Sequence, residues 1–172
     1  KFWPGPMTLV FKASSLVPKE ITAGLDTVAI RMPSHPVARA LIEAAGRPIA
    51  APSANRSGRP SPTIADHVLE DMEGRIPLIL DGGATGFGLE STVIDVTTAP
   101  LLILRPGSIT LEMVREIDPG ARLDGGLDPG KTPKSPGQKY RHYAPKTPVA
   151  LVRDHKEVES YLETHPNQRL GL

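Results

Sequence analysis

Cysteine is absent from this 172-residue sequence, which excludes a disulfide scaffold, a thiol nucleophile and a thiolate metal site. Aromatic residues are scarce at 4%, so a core must be built from Leu, Ile, Val and Ala. A surplus of one charge is also missing: 20 basic against 19 acidic residues leave +1, with no basic face on which to argue nucleic-acid binding. No run of about 18 apolar residues offers a membrane span, and no secretory signal pattern is readable. What remains is 39% hydrophobic and 23% charged, the composition of a soluble globular protein with room for one domain and the start of another. The lack of cysteine fits a cytoplasmic location. Proline, by contrast, is plentiful, and 19 prolines with 16 glycines predict rigid turns and short elements.

Apolar runs alternate with helical patterns, which predicts an α/β domain. Strands are expected at Met7 to Phe11, Thr27 to Met32, Pro48 to Ala51, Leu78 to Leu80, Ser91 to Val96 and Leu101 to Leu104. One or two helical turns are expected at Pro18 to Ala23. Longer helices are expected at Ser34 to Ala45, with Ser34 as cap and Gly46 as stop, and at Thr63 to Met72, opened by Thr63-x-x-Asp66. Thr110 to Ile117 reads as the last helix of the first domain, residues 1–118. From Pro119 the periodicity vanishes, and residues 119–147 read as a linker, too long to sit idle inside a compact domain. A strand at Val149 to Val152 and a helix at Lys156 to Thr164 then open a second domain over 148–172. The chain starts at Lys1 without a Met, in what reads as the middle of a domain, and so reads as a fragment.

Three segments have the character of substrate loops. Pro52-Ser53-Ala54-Asn55 follows an expected strand, where free backbone N–H groups meet anions in α/β sheets; a simple turn is the alternative. Residues 82–92 lead from glycines into Glu90-Ser91-Thr92 without the Gly-Lys-Ser/Thr ending of a P-loop, and a plain glycine-rich hairpin explains them as well. Ser135 to Pro145 places Lys139, Tyr140, Arg141, His142 and Tyr143 in the linker, a set suited to a nucleotide or to pinning the linker on the domain surface. Arg31 and Arg105 sit within or at the end of apolar strands, and each calls for an anionic partner, structural or substrate. The five histidines, at 35, 67, 142, 155 and 165, lack zinc-ligand spacing. No Gly-x-Ser-x-Gly elbow or carboxylate pair stands out. Chemistry here must rest on positioning and charge.

Taken in order, several motifs resemble the YrdC-like threonylcarbamoyl-AMP synthase family. They are Lys1-Phe2-Trp3-Pro4-Gly5-Pro6-Met7-Thr8, Thr27-Val28-Ala29-Ile30-Arg31-Met32-Pro33, Ala51-Pro52-Ser53-Ala54-Asn55-x-Ser57-Gly58, Ser91-Thr92-Val93-Ile94-Asp95 and Leu104-Arg105-Pro106-Gly107. Ser135-Pro136-Gly137 through His142-Tyr143-Ala144-Pro145 completes the set and resembles the long form of the family, in which a linker leads to a Rossmann-like domain. The resemblance implies a twisted mixed sheet with flanking helices. It implies ATP contacts at Thr27, Ser53, Asn55, Ser61 and Arg105, and closure by Tyr143. A threonine site at Arg31, Ala51 and Ser91 is implied too, with no catalytic nucleophile. The implied substrates are L-threonine, bicarbonate and ATP, with Mg²⁺ on the phosphates. The implied partners are a downstream tRNA threonylcarbamoyl-transfer machinery and a weak or indirect RNA contact, double-stranded RNA binding included; no membrane is involved. The family's N-terminal Lys-x-Arg type segment has no counterpart in these residues. Two rival readings remain: a non-catalytic nucleotide- or RNA-binding module of the same fold, and a related carbamoyl-transfer enzyme. The second is disfavoured because zinc-finger cysteines and an acylphosphatase segment are missing.

Overall fold

The structure, a computed structural model, describes residues 1–125, 149 and 151–166. Its framework is a five-stranded mixed sheet ordered β2-β1-β3-β4-β5. The strands are β1 (Met7–Lys12), β2 (Thr27–Arg31), β3 (Thr92–Asp95), β4 (Leu102–Arg105) and β5 (Arg122–Leu123). The helices are α1 (Lys19–Thr22), α2 (Pro36–Ala45), α3 (Ala65–Met72), α4 (Leu111–Arg115) and α5 (His155–Thr164). β1 pairs antiparallel with β2 and parallel with β3; β3 pairs antiparallel with β4, and β4 parallel with β5.

Alternation along each strand divides the sheet into two faces. On one, Met7, Ile94 and Ile103 pack with Ile109, Val114 and Ala121, while Trp3, Leu9 and Met113 close the edge. α4 is capped by Thr110, whose hydroxyl accepts the Met113 N–H. On the other face Val10, Val93 and Leu104 form a smaller cluster. β3 is buried throughout because a strand flanks it on both sides. Truncating Ile94 or Ile103 to alanine would cost about 2–5 kcal/mol on these grounds. The register between β3 and β4 shifts by one residue: Val93 pairs with Arg105 and Ile94 with Ile103, leaving Leu104 as a bulge.

The turn after β4 is fixed by close backbone approach. A Cβ on Gly107 would lie 2.4 Å from the Glu90 carbonyl oxygen and 2.6 Å from the Thr92 nitrogen. Beside it, the buried Thr92 hydroxyl donates to the Ile109 carbonyl at 2.8 Å and accepts the Ile109 N–H at 2.9 Å.

Several expectations are corrected. Residues 48–51 and 78–80 are irregular rather than strands. Pro48 lacks the N–H a ladder requires, and Ile49, Leu78 and Leu80 are exposed, paired with neither edge of the sheet. β5 lies inside the stretch expected as linker, so the sheet runs past residue 118. Ser34 is not the cap of α2: His35 occupies that position without a side-chain bond, and Pro36 begins the helix. The capping box expected at Thr63 does not form either, since Ile64 is the cap of α3 and Thr63 Oγ1 lies 3.4 Å from His67 Nδ1. Val149, Leu151 and Val152 are irregular, whereas the helix expected from Lys156 is α5.

Gly107→Ala is expected to destabilise the fold by about 1–3 kcal/mol, because the atoms in its way are the 90–92 backbone, which cannot swing aside as a side chain would. A denaturant midpoint equal to that of the parent would contradict this packing.

Candidate functional site

The second face of the sheet carries one cross-strand row that spans four strands and ends in an arginine at each side. Arg31 on β2 pairs with Thr8 on β1, Thr8 with Val93 on β3, and Val93 with Arg105 on β4. Three interstrand spacings separate the arginines, roughly 14 Å between backbones. Between them, Ser91 immediately precedes β3. Its hydroxyl lies 2.7 Å from Thr8 Oγ1 and accepts from Arg105 Nη2 at 3.2 Å. Arg105 Nε and Nη2 also donate to the Ser91 carbonyl, at 3.2 and 2.9 Å.

Both arginines differ from their sequence reading in one respect. Arg31 is exposed rather than buried, because β2 is an edge strand. Arg105 is half-buried, yet its structural partners are a carbonyl and a hydroxyl. Among the described residues no carboxylate pairs with either one. Two guanidinium groups that lack a carboxylate partner among the described residues, with hydroxyls between them, have the chemistry to meet anions.

The 82–92 segment reaches this row from the helices. His35 Nε2 meets the Gly82 carbonyl at 3.1 Å, and the Thr85 N–H donates to the Thr63 carbonyl at 2.9 Å. At its end, Ser61 Oγ donates to Glu90 Oε1 at 2.7 Å, joining the 53–61 loop to the residue before Ser91. That loop contains a turn in which the Arg59 N–H donates to the Arg56 carbonyl at 3.0 Å. Gly58, at φ +87°, supplies the left-handed residue. Asn55 Nδ2 braces the turn through the carbonyls of Arg56 (2.9 Å) and Arg59 (3.0 Å). Asn55 Oδ1 is buried without a partner among the described residues.

From the helix side the turn is held by Asp71, the buried residue of α3. Its carboxylate accepts the Arg56 N–H at 3.1 Å and pairs with the Arg59 guanidinium, which also reaches Glu70 at 3.2 Å. Arg56 Nε donates to the Asp71 carbonyl at 3.2 Å. Burial works to raise the Asp71 carboxyl. The Arg56 N–H and the Arg59 hydrogen bond and charge more than offset it, and the group titrates below the ordinary 3.8.

Of the residues singled out in the sequence, Arg31, Ser91 and Arg105 therefore share one row, and Ser61 connects to it through Glu90. Thr27 lies on the same face of β2 as Arg31 but four residues away, roughly 13 Å along the strand, opposite Lys12. Ala51 and Ser53 are exposed in irregular backbone. Tyr143 and the rest of the 135–145 segment lie outside the described residues. Thr8, Glu90 and Asp71 were not singled out. A threonine inside the apolar run of β1 was a readable signal for the first; an aspartate on the inner side of α3 was not. Among the described residues no group of three or more His, Asp or Glu could hold a metal ion, and no helix is long and apolar enough to cross a membrane.

The family described as Telomere recombination (Sua5/YciO/YrdC) matches residues 1–107, and that described as Threonylcarbamoyl-AMP synthase, C-terminal domain, matches residues 109–172. The chain belongs to the Sua5/YciO/YrdC family. It is 55% identical over 155 residues to a threonylcarbamoyl-AMP synthase of Pyrococcus abyssi, covering 88% of this chain and 45% of that protein. Identity to the Bacillus subtilis enzyme of that name is 52% over 160 residues, covering 91% and 46%. The crystal structure of P. abyssi Sua5 with L-threonine matches with a TM-score of 0.85 at 51% identity, covering 95% of this chain and 49% of that one. The chain thus spans about half the length of these relatives.

A folded Asp71 value below the unfolded one means that its contribution to stability is complete above pH 3.8 and is lost as pH falls through the folded value. Acid titration of stability should therefore show the gap between parent and Asp71→Asn narrowing below that pH. A gap that stays constant would contradict the assignment.

Proposed function

We propose that the chain carries the catalytic domain of an L-threonylcarbamoyladenylate synthase, a nucleotidyltransferase acting in tRNA threonylcarbamoyladenosine modification. The observation that supports this most is the row Arg31–Thr8–Val93–Arg105, with a guanidinium at each end and the Ser91 hydroxyl between. Its span suits two anionic groups held apart, a carboxylate at one end and a phosphate at the other. The names of the relatives, and the L-threonine bound to the P. abyssi protein, point the same way.

Arg31, with Ala51 and Ser91, would hold the threonine carboxylate. Arg105 would neutralise phosphate charge, with Ser53, Asn55 and Ser61 on the neighbouring loop, Thr27 towards the far end of β2, and Tyr143 as a closing residue. The threonine amine and bicarbonate give a carbamate and water. A carbamate oxygen then attacks the α-phosphate of ATP, forming the mixed anhydride as pyrophosphate leaves. No side chain needs to become acylated. Alignment and charge neutralisation carry the acceleration. Mg²⁺ would be carried in on the ATP phosphates, where it would help neutralise their charge. The product would pass to a tRNA transfer machinery in the cytoplasm, with RNA contact weak or indirect at a net charge of +1.

Pyrophosphate release from ATP should require both threonine and bicarbonate. Arg31→Ala should raise the KM for threonine by about 10- to 100-fold while leaving that for ATP within a few-fold, as expected for loss of a charge-assisted carboxylate contact. Release that ignores threonine, or its absence from the full-length protein, would overturn the reading. An Arg31→Ala protein with unchanged threonine KM would remove Arg31 from the site.

A further inference from the structure

We propose that Asp71 is a positioning residue: from α3 it holds the Arg56–Arg59 turn, and through that turn it sets the affinity of the 53–61 loop for the nucleotide. The inference rests on the reading that this loop meets ATP.

Asp71 is the one fully buried side chain of α3, whose Ala65, Val68 and Met72 are half-buried and whose Leu69 is exposed. A helix ordinarily buries its apolar stripe. A carboxylate in that position is costly unless each oxygen has a partner. Here both do. One oxygen takes the Arg56 N–H at 3.1 Å, and the other takes the Arg59 guanidinium. Arg56 Nε adds a third tie, to the Asp71 carbonyl at 3.2 Å. The inner side of the same turn is braced by Asn55, whose amide nitrogen donates to two loop carbonyls. The loop then continues to Ser61, whose hydroxyl is bonded to Glu90 beside Ser91.

The turn is thus fixed at both sides, and its downstream end is tied to the arginine row. Both Asp71 carboxylate oxygens are occupied within the turn. Asp71 has no free group for substrate. Its influence must pass through loop geometry, which affects nucleotide contacts more than the Arg31 end of the row.

Trypsin reports on the turn independently of activity. Arg59 precedes Pro60 and Arg47 precedes Pro48, bonds trypsin leaves intact, so cleavage after Arg56 is the reporter for this segment. Cleavage after Arg39, within α2, serves as the control. In Asp71→Asn, cleavage after Arg56 is expected to accelerate about tenfold relative to that after Arg39, since a charged hydrogen-bonding partner is removed. In full-length protein the same substitution should raise the KM for ATP about tenfold, with the threonine KM within twofold and kcat little changed. Arg59→Gln, which loosens the clamp from its more exposed side, should show the same pattern more weakly and covers the case in which Asp71→Asn does not fold. Parent-like cleavage after Arg56 in the folded variants overturns the proposal, as does a rise in both KM values together. A parent protein that releases no pyrophosphate defeats the synthase reading instead, and the proteolysis then decides the positioning role alone.

Discussion

The hydrogen bonds that meet at Ser91 hold the candidate site together. Its hydroxyl takes Thr8 from one neighbouring strand and Arg105 from another, and its carbonyl takes two more guanidinium N–H groups. Among the described residues the Arg105 guanidinium meets only a hydroxyl and a carbonyl, neutral groups that leave its charge uncompensated. That is what a phosphate site needs: the side chain is oriented beforehand, so an arriving anion does not bear the cost of ordering it. Arg31 complements it differently, as an exposed and adjustable cation at the edge of the sheet.

Around this junction the protein positions loops with polar ties more than with apolar packing. The compact core lies on the α4 side of the sheet, where Ile94, Ile103 and Val114 meet. No residue of α2 is buried, and Val37 and Leu41 remain exposed. α2 and α3 are joined to the loops by bonds such as His35 to Gly82 and by the Asp71 clamp. Directional bonds of this kind fix position at modest net stabilisation, whereas apolar contact stabilises without aiming anything.

Much of this was legible in the sequence. Apolar runs mark β1, β2, β3 and β4 to within a residue or two, and two arginines set in or at the end of apolar strands stand out in the sequence. What failed did so for identifiable reasons. The runs at 48–51 and 78–80 have strand-like composition, but a strand requires a neighbour, and composition does not reveal whether an edge is available. β5 is only two residues long and sits among glycine, proline and aspartate, where no period can be read. The burial of Arg31 was overestimated because an apolar neighbourhood in sequence does not distinguish an edge strand from a central one. Asp71 was invisible, since its value comes wholly from the Arg56–Arg59 turn lying more than ten residues away.

The bulge in β4 has a consequence for how this sheet can change. Strict alternation from Ile103 would send Leu104 to the Val10 and Val93 side and Arg105 back among Met7 and Ile94. The one extra residue lets both Leu104 and Arg105 share the Val10 and Val93 side. The guanidinium's location is therefore a matter of register: it depends on one extra residue in a strand of four. Side-chain replacements along β4 alter the packing by degrees. Flattening the bulge with every residue kept would instead turn the charge into the hydrophobic layer in one step, whereas removing the extra residue would leave Arg105 opposite Val93.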